Sequence, residues 1–181
     1  PYNLIAYDKW PDIAQMTADS SLSWYNKIPT VPEQQNQDYK LDCQYMNEIW
    51  SAIKRLDGSC RASVASLIGD EFKMENILWA LRLRVYYNMG KEEIVNHLAF
   101  VNAVHDETDP IAGEAMKILD WELDSYDTWK KWKYAEYLNH HEEGVVWTVD
   151  PRWIYGVSHK VYVERARRLF HQHPFTACPL V

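Results

Sequence analysis

The residues of this chain best suited to chemistry are its histidines. His140-His141 stands beside Glu142, and His171-Gln172-His173 lies shortly before Cys178. Imidazole, thiolate and carboxylate are the donors that zinc takes. The spacing matches no zinc signature, however, and a His-x-His at a helix end sends its two rings to different faces. Surface or capping histidines are the weightier reading, because a histidine near a helix C-terminus is favoured by the dipole alone. A di-iron centre requires Glu-x-x-His on two facing helices; the nearest approach is Glu93 with His97, one residue too far apart. There is no Gly-x-Ser-x-Gly elbow, and neither Cys43 nor Cys60 lies in a nucleophile motif. Glu92-Glu93 and Glu142-Glu143 read as solvated helix ends. No catalytic, metal-ligating or cofactor-binding residue is therefore assigned, and no cofactor is expected. A soluble helical metal protein or enzyme using His140, His141, His171 and His173 remains as an alternative.

Trp129-Lys130-Lys131-Trp132-Lys133 interleaves bases and aromatic rings, a composition able to stack nucleobases. Two tryptophans three apart also share one helix face, and that spacing favours a core role with the lysines in water. The net charge of −7 points the same way, since a nucleic-acid binder needs a basic footprint. Arg165, Arg167 and Arg168 read as a solvated or salt-bridged face, and as a patch for an acidic partner. Three widely spaced cysteines, Cys43, Cys60 and Cys178, without a Cys-x-x-Cys pair, suggest reduced thiols in a cytoplasmic protein. No run of about 18 apolar residues is present, so no membrane span is expected, and no signal peptide is visible. The chain starts at Pro1 and stops in the apolar run Cys178-Pro179-Leu180-Val181. Both ends look like cuts in a longer polypeptide.

The elements that must position these groups read as helices. Residues 1–32 hold four of the eight prolines and form an irregular segment, with a short helix from about Asp12. The helical domain is expected over 33–181, opening at Pro32-Glu33, where proline and an acid suit a first turn. Leu41, Tyr45, Ile49, Trp50, Ile53 and Leu56 recur at helical spacing up to Gly58. A short helix to Gly69 should follow, then a second one capped by Asp70 and closed by Asn88 and Gly90. Lys91-Glu92-Glu93 opens the next, carrying Ile94, Val95, Leu98 and Val101. Asp109-Pro110 and Asp150-Pro151 are start signals of one kind, a capping acid before a proline. The first predicts a helix to about Ser125; Asp127 predicts another over 129–138. Gly144 to Val149 suits a short extended piece, and the helix from Pro151 should run to Pro174. The fold class is all-α. Nine tryptophans and twelve tyrosines against four phenylalanines indicate thick packing between helices, with a partner surface as second possibility.

Residues 71–94 are the least ordinary, because Asn76, Arg82 and Arg84 sit among apolar residues. The pattern Asn76-Ile77, Arg82, Arg84, Tyr86-Tyr87, Met89 and Glu92-Glu93-Ile94 resembles the recurring motif of the V-type rotary ATPase subunit called d in eukaryotes and C in archaeal and bacterial enzymes. Ser66-Leu67-Ile68-Gly69 resembles the lead-in to that motif, and Phe170 to Thr176 resembles the stretch before the family's last helix. The family often has an Asp three residues before the Asn; this chain has Lys73. The resemblance implies a funnel-like bundle of repeated helical units. It also implies a non-catalytic central-stalk subunit, peripheral to the membrane on its cytoplasmic side, whose partners are the soluble stalk subunits and the membrane rotor ring. Asn76, Arg82, Arg84, Arg165 and Arg168 are the candidates for inter-helix or partner contacts. A helical adaptor unrelated to the ATPase is the remaining alternative.

Overall fold

The computed structural model describes residues 13–172. Its helices are α1 (Ile13–Thr17), α2 (Val31–Lys54), α3 (Gly58–Tyr87), α4 (Lys91–Val95), α5 (Gly113–Ile118), α6 (Tyr126–Trp129), a 3-10 helix (Ala135–Tyr137) and α7 (Pro151–Gln172). The described residues contain no strand, so the all-α reading holds. None of the described helices is long and apolar enough to cross a membrane. The chain divides into two compact units, Pro1–Gln44 and Tyr45–Val181.

In the first unit, Thr30 and Glu33 form a reciprocal cap at the start of α2. Glu33 Oε2 accepts from the Thr30 backbone N–H at 3.0 Å, and Thr30 C=O accepts from the Glu33 N–H at 2.9 Å. Glu33 is also paired with Lys27 at 3.0 Å. Gln44 ties the preceding loop to the same helix. Its carbonyl accepts from Trp24 Nε1 at 2.6 Å, and its amide donates to Ser21 C=O at 2.8 Å.

The second unit is organised by α3. Ile77, Leu78, Ala80, Leu81 and Leu83 are all buried. A helix apolar on several sides belongs in the middle of a bundle. It packs against α4, α5 and α7. Its core is completed by Ile94, Leu98, Ile118, Trp129, Trp132, Trp147 and Ile154. A smaller cluster joins Ile53 and Val64 to Trp50, Ile68 and Leu169.

Several expected boundaries shift, each for a physical reason. The break expected at Gly69 is absent: α3 runs for 30 residues from the Asp57 cap, where Asp57 Oδ1 accepts from Cys60 N–H, to Asn88 in the left-handed conformation. Gly69 serves packing instead, because a Cβ there would stand 3.1 Å from the Trp50 ring. Asp70 is accordingly an interior residue of α3 and not a cap. The helix expected past Leu98 stops at Val95, since both backbone polar groups of Ala99 are bonded to the Asn76 side chain. Asp109 does cap the turn that leads into α5, but α5 ends at Ile118 and not near Ser125. The Ile118 carbonyl accepts from Arg84 at 3.1 Å.

The single helix expected over 129–138 is replaced by the end of α6, a turn and the 3-10 helix. Trp129, Trp132, Tyr134 and Tyr137 all pack on the core, and the spacing of two in this series does not fit one face of an α-helix. In the segment before α7, which forms no strand, Trp147 and Val149 are buried and Val145 and Val146 exposed. Its link to the 123 region is a hydrogen bond from Val149 N–H to Leu123 C=O at 2.9 Å, with a second from the Thr148 hydroxyl to the same carbonyl at 3.3 Å. The start at Asp150-Pro151 is as read from the sequence. The stop at Pro174 lies outside the described residues, as do His173 and Cys178.

Two glycines give opposite expectations. A Cβ on Gly113 would meet the Glu107 carbonyl oxygen at 2.2 Å, whereas a Cβ on Gly156, within α7, meets nothing within 4 Å. Gly113→Ala should cost about 1–3 kcal/mol through overpacking against backbone. Gly156→Ala should add up to about 1 kcal/mol through helix propensity. Urea titrations of the two variants against the parent chain check both signs. A second expectation concerns Glu33, whose carboxyl is lowered from 4.5 to about 2 by the Thr30 N–H first and then by Lys27. A depressed carboxyl contributes stability above its ordinary value and loses it as pH falls through the folded one. The Glu33 NMR titration should therefore have its midpoint near pH 2, and Thr30→Pro, which removes the N–H, should move it upward.

Candidate functional site

Asn76 is 3% exposed. Its side-chain amide donates to Ala99 C=O and Ile111 C=O, both at 3.0 Å, and its carbonyl accepts from Ala99 N–H at 2.9 Å. The buried Asp109 carboxylate does matching work. One oxygen accepts from the N–H groups of Val101 and Asn102 at 2.9 and 2.8 Å, the other from Ile111 and Ala112, both at 2.9 Å. Buried backbone polar groups must be paired, and these two side chains do this for the irregular segment between α4 and α5.

The arginines divide. Arg84 donates to the Ile118 carbonyl, a cation at a helix C-terminus. Burial pushes its guanidinium down, and Asp120 opposes that. Arg82, half-buried, lies over the Tyr155 ring of α7 at 5.5 Å. Arg165 forms an ion pair with Asp70 and donates to Ser66 Oγ at 2.6 Å, fastening α7 to α3. Arg168 is exposed. The structure thus places Asn76 and Arg84 in contacts with backbone, Arg82 and Arg165 at the α3–α7 seam, and Arg168 on the surface.

Among the described residues the candidate histidines stand in separate ring contacts. His140 meets the Trp153 ring edge-on at 5.1 Å, and His141 stacks on Tyr126 at 4.3 Å. His171 packs against Phe170. Among the described residues no three His, Cys, Asp or Glu side chains form a group able to hold a metal ion. Trp129 and Trp132 are buried, as their spacing predicts.

The feature that the residue pattern did not reveal is a cleft of about 140 Å³ between α3, α7 and the 3-10 helix. Met74, Leu78, Tyr137 and Ser158, all buried, form its floor. Tyr134, Tyr155 and Tyr162 supply ring surface; Asp70, Glu71, Glu75, His159 and Arg165 supply polar groups. Tyr162 is pushed up to about 12, by burial first and then by the charge and hydrogen bond of Glu71. Burial likewise raises Tyr134 and Tyr137. Farther along the same two helices, Tyr86 and Arg152 border a second, wider depression that reaches Val145 and Val146. The residue types alone carry no signal for the first cleft. Its assembly depends on contacts such as that of Asp70 with Arg165, which lie 95 positions apart.

Asn76→Ala should lower stability by about 2–4 kcal/mol, because it strands one buried N–H and two carbonyls. Arg168→Ala should stay within about 0.5 kcal/mol of the parent. Chemical denaturation of both variants measures the contrast.

No family model matches the chain, and no solved structure matches it. A curated Treponema pallidum (strain Nichols) protein, described as uncharacterized, is 27% identical over 184 residues; the match takes in 99% of this chain and 53% of that protein. The chain therefore spans about half the length of this relative.

Proposed function

We propose that the chain is a non-catalytic coupling subunit of a V-type rotary ATPase, placed between the soluble central stalk and the membrane rotor ring. It transmits torque during ATP hydrolysis or synthesis coupled to proton or sodium movement, and nucleotide chemistry belongs to other subunits. The observation that carries the reading is the residue pattern from Asn76-Ile77 through Arg82, Arg84, Tyr86-Tyr87 and Met89 to Glu92-Glu93-Ile94. This pattern runs along the last part of α3, across the left-handed Asn88 cap and into α4. It is therefore a helix–stop–helix unit, the form in which the family's motif recurs. A funnel of such units binds the stalk in its cavity and the ring at its wide face, on the cytoplasmic side of the membrane. The exposed Tyr86, Tyr87, Trp153 and Tyr155 support a partner-facing role, since Tyr, Trp and Arg are the residues enriched where proteins bind.

Purification of the full-length protein from mildly solubilised membranes of its own cells, followed by mass spectrometry, tests this. Stalk and ring subunits of the rotary ATPase should be recovered with it. Arg82→Ala should reduce their recovery several-fold while the variant itself stays folded by circular dichroism. A clean preparation lacking those subunits overturns the proposal.

A further inference from the structure

We infer that the α3–α7 cleft is a binding site for a small, neutral, single-ring aromatic molecule carrying one uncharged polar group. The site is a property of the cleft alone and does not depend on which complex the chain serves. Charge does not select the occupant, because the charged walls are already engaged. Asp70 lies between two cations, with Lys73 at 3.0 Å on its own helix and Arg165 reaching from α7. Glu71 is hydrogen-bonded to Tyr162, and Glu75 has an interaction of its own. An ion entering the cleft would lose hydration without gaining an unpaired counter-charge.

One polar group on the wall is not engaged in this way. Tyr137 is 9% exposed, and the part of it that remains accessible lines the cleft. Among the described residues no hydrogen bond reaches its hydroxyl, and the oxygen is not sealed in the core. A phenol hydroxyl both donates and accepts, so an uncharged amide, carbonyl or hydroxyl placed beside it gains a hydrogen bond. The remaining surface suits a ring. Tyr134 stacks on Tyr137 with centroids 5.5 Å apart, Tyr155 and Tyr162 add ring surface from α7, and Met74 and Leu78 lie buried beneath. An aromatic guest gains offset or edge contacts with tyrosine rings and a thioether contact with methionine. The volume of about 140 Å³ is close to that of a protein cavity that holds benzene, which limits the guest to one ring with a small substituent.

The test is an NMR titration of the full chain, labelled in its tyrosine rings, with benzamide. Binding should saturate with a Kd of about 0.1–1 mM. Of the twelve tyrosines, Tyr134, Tyr137, Tyr155 and Tyr162 should carry the shifts. Benzoate and benzamidinium, close to benzamide in shape but charged, should each bind at least about tenfold more weakly. Cyclohexanecarboxamide, which keeps the amide and loses the aromatic ring, should bind about threefold more weakly or worse. Tyr137→Phe should weaken benzamide about fivefold and leave toluene binding within about twofold, with circular dichroism unchanged. Absence of saturable shifts overturns the inference, and so do shifts confined to tyrosines outside the cleft. Binding of either ion as tightly as benzamide overturns the neutral ligand. Equal binding of cyclohexanecarboxamide overturns the aromatic one, and undiminished benzamide binding by Tyr137→Phe overturns the role of the hydroxyl.

Discussion

The segment between α4 and α5 has almost no regular structure, yet it lies against the centre of the bundle, and the rest of the second unit depends on how its backbone is satisfied. Asn76 and Asp109 solve this together. Between them they make seven hydrogen bonds, all to backbone groups of residues 99–112. The alternative, unpaired amides and carbonyls in an apolar surrounding, costs about 1–3 kcal/mol for each group. With the loop held, Phe100, Ile111 and Ala112 are buried. The start of α5 is then fixed beside α3, close enough for Arg84 to reach the Ile118 carbonyl.

This constraint changes what the unusual polar residues of α3 mean. A helix with Asn and Arg among its apolar residues invites a reading as a binding surface. Here Asn76 and Arg84 are occupied by the protein's own backbone. Arg82 instead lies at the seam where α3 meets α7. At that seam Arg82, Tyr155 and the Asp70–Arg165 pair hold the helices together, and Glu75, Tyr86, Tyr155 and His159 keep exposed surface. Both sides of α3 thus build the unit: the α5 side through hydrogen bonds to backbone, the α7 side through ring and ion-pair contacts.

Much of the fold was legible where local chemistry decides it. Asp150-Pro151 starts α7, Asn88 stops α3, and the helical spacing of Tyr45, Ile49, Trp50 and Ile53 marks α2. The errors fell where a distant residue overrules local preference. Gly69 reads as a break, yet it is the space that the Trp50 ring needs. Leu98 and Val101 read as helix positions, yet the Asn76 amide, 23 residues back, draws the Ala99 backbone off the helical path. The aromatic run from Trp129 to Tyr137 has a helical beginning, but too many of its rings enter the core for one helix face. The candidate site follows the same rule. Asn76 and the arginines stood out by their type, whereas the cleft exists only through the pairing of helices far apart in sequence, for which a single sequence carries no signal.

Native-state hydrogen exchange at the amides of Ala99, Val101, Asn102, Ile111 and Ala112 is the most direct measurement of whether this polar clamp governs the fold. These groups lie outside the long helices. If Asn76 and Asp109 hold them, they should exchange only through global unfolding, with protection equal to that of Leu81 and Leu83 in the middle of α3. Exchange at the rate of an open loop, while α3 stays protected, would contradict it.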